Sequence, residues 1–152
     1  MRVADLMTEP PVTVSPETSA RLAARRMAEE RVGCLLVVAA GELVGVVTDR
    51  DLVLRGTALA ANPHTPVDRL MTVEPAVLAL DDDLDTAYGA FRRTGVRRLP
   101  VLDGRRPVGL LAVDDLLLDV LDRLFDLLGP ISWSALRDGG SSTPPTLVRR
   151  TP

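Results

Sequence analysis

Apolar residues run along this chain in short blocks whose spacing changes from one block to the next. PVTV, residues 11–14, reads as a short strand. Ser15-Pro16-Glu17 then offers an N-cap serine, a proline for the first helical position and an early acid, which predicts a helix starting there. Ala20, Ala23, Ala24 and Met27 recur at helical spacing and mark its inward face, and Gly33 closes the segment. CLLVVAA and LVGVVT, separated by Gly41-Glu42, predict two strands joined by a tight turn. Asp49-Arg50-Asp51 leads into DLVLRGTALA, a second helix. The expected order is strand, helix, strand, strand, helix.

The same order then returns. AVLAL is followed by a helix opened by Asp82 or Asp83 with Leu84, Ala87, Tyr88 and Phe91 inward; then come LPVL, an Asp103-Gly104 turn, PVGLLAV and a long helix from Asp114. Residues 3–54 lie over residues 67–118 at a constant offset of 64 with no insertion. VADLMT falls on VDRLMT, and identities continue at Pro11/Pro75, Ala23/Ala87, Leu35/Leu99, Val37/Val101, Gly45/Gly109 and Asp51/Asp115. Two copies are too few for a solenoid and point to a pseudo-symmetric pair. A three-stranded sheet with both helices on one face leaves its other face bare, and burying that face against its twin explains why the unit occurs twice. The expected fold class is therefore α+β, two strand-helix-strand-strand-helix motifs packed sheet to sheet about a pseudo-twofold axis. The boundaries read as 3–60 for the first motif, 61–66 for a linker, 67–129 for the second motif with its extended helix, and 130–152 for a flexible tail rich in Gly, Ser, Thr and Pro. Related clefts are expected where the copies meet.

The last helix carries a seam of Leu117, Val120, Leu121, Leu124 and Leu128, widened by Leu116, Leu118, Phe125 and Leu127, before Gly129-Pro130 ends it. A helix apolar nearly all round implies a second buried face, so a homodimer is expected.

Composition changes this picture mainly by exclusion. With 46% hydrophobic and 26% charged residues in 152, the chain has the make-up of a soluble globular domain. Uncharged stretches are too short to span a membrane, and no charged-then-apolar leader opens the sequence, so a cytoplasmic location is expected. A net charge of −3 and 3% aromatics argue against a nucleic-acid partner. Cys34, the one cysteine, rules out an intrachain disulfide and reads as a buried, inert thiol; His64, the one histidine, lies in the loop segment NPHTP without partners for a metal site.

GVVTDRD, residues 45–51, carries the candidate chemistry. A strand that ends in Thr48 gives way to a helix opened near Asp51, a place where free helix amides attract anions. Thr48 can donate or accept a hydrogen bond, and an ionised Asp51 can take two hydroxyl protons at once, as a ribose diol presents them. Equally, Asp51 would cap the helix and Thr48 simply end the strand; the spacing leaves both readings standing. Asp81-Asp82-Asp83 falls at a predicted helix start, where acids meet the helix dipole favourably without any catalytic role. No histidine partner, activated nucleophile or G-x-G-x-x-G loop accompanies it, so the chain is not expected to be an enzyme.

LMT, PVTVSP, a helix, an LPV-type strand and then G-x-x-T-x-x-D, doubled, resembles the cystathionine-beta-synthase (CBS) domain, and the tandem resembles a Bateman module. The resemblance spans residues 3 to about 124. It implies regulatory binding of an adenosine-containing ligand, AMP, ADP or ATP, or in other members S-adenosylmethionine or NAD, between the copies, with no reaction and no required cofactor. Carried onto this chain, it sets Thr48 and Asp51, with Arg50 in the same motif, at the ribose and nearby phosphate, and Val46, Ala79 and Val96 about the base. In the second cleft Asp115 is kept, but Ala112 replaces the hydroxyl. Arg97 and Arg98 stand where basic groups meet phosphate, at the positions of Gly33 and Cys34 in the first copy. The expectation is thus of complementary clefts, one with the ribose pair and the other with the anion clamp. The output would pass to a separate effector protein; the competing reading is a dimerising scaffold with empty clefts.

Overall fold

The computed structural model describes residues 1–58, 60 and 62–138. Its elements are β1 (Thr13–Val14), α1 (Ala20–Glu30), β2 (Cys34–Ala39), β3 (Glu42–Thr48), α2 (Asp49–Ala58), β4 (Thr72–Val73), β5 (Leu78–Ala79), α3 (Leu84–Thr94), β6 (Arg98–Asp103), β7 (Arg106–Ala112) and α4 (Val113–Asp138). The described residues up to Asp115 form one compact unit and those from Leu116 to Asp138 belong to another.

Within the first unit lie two sheets, β1-β2-β3-β4 and β5-β6-β7. β1 runs parallel to β2 and β5 parallel to β6, while each β2-β3 and β6-β7 pair is an antiparallel hairpin. The expected α+β architecture of two motifs packed sheet to sheet is the one observed. The apolar run of β2 is continuous because both its faces are covered. Leu35 and Val37, with Val47 of β3, pack under Ala23 and Met27 of α1. Cys34 and Leu36, with Val46, turn the other way and meet Leu110 of β7 in the opposite sheet.

The repeats are not self-contained, which the sequence pattern did not reveal. β4 belongs to the second copy by sequence yet extends the first copy's sheet, pairing Thr72 with Val46 and Val73 with Gly45. Reciprocally, Thr8 bridges Leu110, with hydrogen bonds of 2.9 and 3.0 Å. The LMT segments thus exchange partners across the pseudo-twofold axis. Gly45 and Gly109 allow it: a Cβ on Gly45 would fall on Met71 Sδ and lie 2.9 Å from the Thr72 carbonyl oxygen, and one on Gly109 would fall on Met7 Sδ.

Several local expectations are corrected. α1 starts at Ala20, not after Ser15; its N-cap is Ser19, whose Oγ accepts from Leu22 N–H at 3.2 Å. The reason is tertiary: the connecting segment supplies carbonyls, Thr65 O to Ala20 N and Pro63 O to Arg21 N, for amides that the start of a helix leaves free. The helix ends on Arg31 in the left-handed region (φ 55°), two residues before Gly33; the second copy has Gly95 there (φ 66°). Ala24 is exposed, and Tyr88 is 40% exposed while Leu84, Ala87 and Phe91 are buried as expected. α3 is capped by Asp83, which accepts from Thr86 N–H at 2.8 Å; that hydrogen bond holds its carboxyl below the usual carboxylate range.

α4 does not stop at Gly129-Pro130 but runs to Asp138. A proline removes a single backbone donor, and a long helix can continue past it with a kink. Leu116 is buried, whereas Leu117, Leu118, Leu124, Phe125 and Leu127 are exposed, Phe125 by 68%. Among the described residues no helix is long and apolar enough to cross a membrane. Of the tail expected over 130–152, residues 139–152 lie outside the described residues.

Candidate functional site

β3 ends and α2 begins at Thr48-Asp49, and the two candidate groups meet there directly. Thr48 N–H and Thr48 Oγ1–H both donate to Asp51 Oδ2, at 2.9 and 2.8 Å, while Asp51 N–H donates to Thr48 Oγ1 at 3.1 Å. This is a reciprocal capping box, so the capping alternative describes the local geometry. Oδ1 faces Arg55 Nε at 3.4 Å. Arg55 in turn donates to the carbonyls of Leu70 and Met71, at 2.9 and 2.6 Å, and to Thr72 Oγ1 at 3.1 Å, tying α2 to the exchanged strand. An ionised carboxylate offers about four lone-pair positions. Three are engaged here, one of them by a long contact, which leaves Oδ1 able to accept from a ligand.

Asp51 and Thr48 open on a cavity of about 180 Å³. Val46, Val96, Pro75, Ala76 and Pro100 supply its apolar walls, and Arg97, Arg98 and Thr72 its other polar groups. Both copies therefore contribute. This overturns the expected division of labour between clefts: the arginines of the second copy line the same cavity as the ribose pair of the first. The cause is the pseudo-twofold arrangement. Cys34 and Arg98 are equivalent positions at the starts of β2 and β6, and both border this one cavity.

Cys34 is a neutral wall residue. Burial pushes its thiol up to about 11 from an ordinary 9.0; Arg98 opposes that rise, and Asp51 and Asp49 add to it.

Three of the residues singled out from the sequence lie elsewhere. Ala79 does not line the cavity; its N–H donates to Asp82 Oδ2 at 2.8 Å, and Ala76 stands on the wall instead. Arg50 borders a separate, shallow groove with Asp49, Val53 and Leu54. Asp115 caps Ala112 N–H at 3.0 Å, keeping half the capping box where the hydroxyl is missing. Thr72, Pro75, Ala76 and Pro100 were not singled out. Thr72, Pro75 and Ala76 share one signal, the exchanged LMT-x-x-P segment whose partner only the fold specifies, while Pro100 lies in β6 beside Arg98. Among the described residues no cluster of His, Cys, Asp or Glu could hold a metal ion.

The family model described as CBS domain matches this chain twice, over residues 3–56 and 67–122. The CBS domain-containing protein YhcV of Bacillus subtilis is 38% identical over 114 residues, covering 75% of this chain and 81% of that protein. Among solved structures, the CBS domain protein PAE2072 from Pyrobaculum aerophilum complexed with AMP superposes with a TM-score of 0.70 at 28% identity, covering 76% of this chain and 90% of the other. The CBS domain pair of protein MJ0100, in complex with 5′-methylthioadenosine and S-adenosyl-L-methionine, gives a TM-score of 0.68 at 27% identity, covering 83% and 96%.

Proposed function

The chain belongs to the CBS-domain family, with two copies of the domain, and on that premise we propose that it is a regulatory module binding AMP, ADP or ATP between its copies. The observation that carries this is the convergence of Thr48, Asp51, Arg97 and Arg98 on one cavity with apolar walls. Asp51 Oδ1 and Thr48 Oγ1 accept from the ribose hydroxyls. Val46, Val96 and Ala76 sandwich the base. Arg97 and Arg98, both exposed, reach the phosphate with charge-assisted hydrogen bonds. Structural relatives complexed with AMP and with S-adenosyl-L-methionine support an adenosine moiety.

No reaction is proposed and no cofactor is required. Two of the three acids at Asp81-Asp82-Asp83 are committed to the backbone amides of Ala79 and Thr86. The module transmits instead. A ligand shared by two copies can bias their packing only by its difference in affinity for the two arrangements, and a separate effector protein in the cytoplasm would read that difference. The exposed apolar residues of α4 support a homodimer as the transmitting form.

Titration calorimetry of AMP, ATP and S-adenosylmethionine against the wild type and Asp51→Ala tests the reading. The expected result is heat from AMP or ATP, at least a tenfold weaker signal in the variant, by roughly the 1.5 to 3 kcal/mol of a charged hydrogen bond, and intact nucleotide recovered afterwards. Silence from all three ligands would favour the dimerising scaffold, and nucleotide breakdown would make the chain an enzyme.

A further inference from the structure

We infer that each chain takes one phosphate-bearing adenosine ligand, because the second, symmetry-related cleft has larger apolar walls and lacks the counterparts of Thr48, Arg97 and Arg98. The inference rests on the nucleotide reading above and goes beyond it. The repeat offset assigns every wall of the first cavity a counterpart in the second cleft. Three of the five polar groups are lost, since Thr48 becomes Ala112, Arg97 becomes Gly33 and Arg98 becomes Cys34, while Asp51 and Thr72 keep counterparts in Asp115 and Thr8. Arg98, which the symmetry also brings to the edge of the second cleft in place of Cys34, lines the first.

The apolar walls grow as those polar groups vanish. Val46 is replaced by Leu110, Ala76 by Val12 and Pro100 by Leu36. Leu36 is 1% exposed, and Leu110 packs against the cluster of Cys34, Leu36 and Val46, so the larger side chains of the second cleft are engaged in packing where the first cleft has smaller walls. Val12 is likewise packed against the cluster beneath α1, whereas Ala76 is exposed at the cavity wall. Moving such packed side chains aside for a nucleoside would lose their contacts. The open cavity, by contrast, presents two guanidinium groups and one carboxylate already engaged by Arg55, a balance that favours an anionic ligand over a sulfonium.

Native mass spectrometry and calorimetry with AMP, adenosine and S-adenosylmethionine test this. One AMP per chain is expected. Arg97→Ala/Arg98→Ala should weaken AMP about tenfold or more and leave adenosine unchanged. Val46→Leu/Ala76→Val, which copies the larger walls of the second cleft into the first, should abolish AMP binding in protein that still unfolds cooperatively; Ala76→Val alone, at an exposed position, should weaken it. Asp115→Ala should leave AMP affinity within about twofold. Two AMP per chain, or equal losses from Asp115→Ala and Asp51→Ala in folded protein, would overturn single occupancy. Preference for S-adenosylmethionine over AMP would overturn the phosphate assignment. A wild type that binds none of the three removes the nucleotide reading itself.

Discussion

Thr48 and Asp51 satisfy one another before any ligand arrives, and that double duty shows where residue-level reading reaches its limit. A threonine three positions ahead of an aspartate at a strand-helix junction is legible as a cap or as a sugar clamp; the structure shows the cap, and it sets the same pair on the wall of a cavity. Arg31 is a plainer case. It sits left-handed where Gly95 sits in the other copy, and a residue with a Cβ pays about 1 kcal/mol there. Arg31→Gly should raise the urea midpoint by roughly 0.5 to 1 kcal/mol of stability, and Gly95→Ala should lower it comparably. Cys34 makes stability depend on alkaline pH. Its folded pKa of about 11 exceeds the unfolded 9.0, so below pH 9.0 both states hold the proton and nothing is lost. Between 9.0 and about 11 only the unfolded chain ionises, and stability falls with rising pH, by up to roughly 2 to 3 kcal/mol. Melts of Cys34→Ala across that range should lack this decline, and a thiol reagent should react with native protein only as fast as it opens.

At the scale of elements, strands and helices were legible because their apolar periods differ, but the partners of the edge strands were not. LMT reads as a lead-in to each copy; pairing it with the other copy's last strand depends on a glycine about 26 residues away for the LMT of the second copy and about a hundred away for that of the first. Gly45→Ala and Gly109→Ala should each destabilise the fold by about 1 to 3 kcal/mol, since a Cβ meets a methionine sulfur and, behind it, a backbone carbonyl that cannot yield as easily. Gly45→Ala with Met71→Ala should cost less than the sum of the two in a chemical-denaturation cycle, a coupling of about 0.5 kcal/mol or more. The start of α1 was misplaced for a related reason. Ser15-Pro16 satisfies every local rule for a helix start, yet the carbonyls of Pro63 and Thr65 reach the amides of Ala20 and Arg21, and the helix begins where those bonds can form.

For the whole molecule, the exposed leucines and Phe125 of α4 make assembly and ligand occupancy separable measurements. Sedimentation velocity should show a dimer that Phe125→Asp and Leu124→Asp convert to monomer, and saturation with AMP at about a hundred times its Kd should add roughly 2.7 kcal/mol to the stability of the binding form. By itself the sequence determined the duplication, the α+β class and the strand-helix junction that borders the cavity, since each follows from spacing along one strand of text: apolar period, offset identity, capping residues. Only the tertiary structure decided that Arg97 and Arg98 line the cavity of Thr48 and Asp51, that Ala76 rather than Ala79 forms its wall, and that Leu110 of one sheet packs on Leu36 and its neighbours in the other. Those facts depend on which side chains a pseudo-twofold axis brings face to face, and contact across an axis between distant segments leaves no period in the sequence to read.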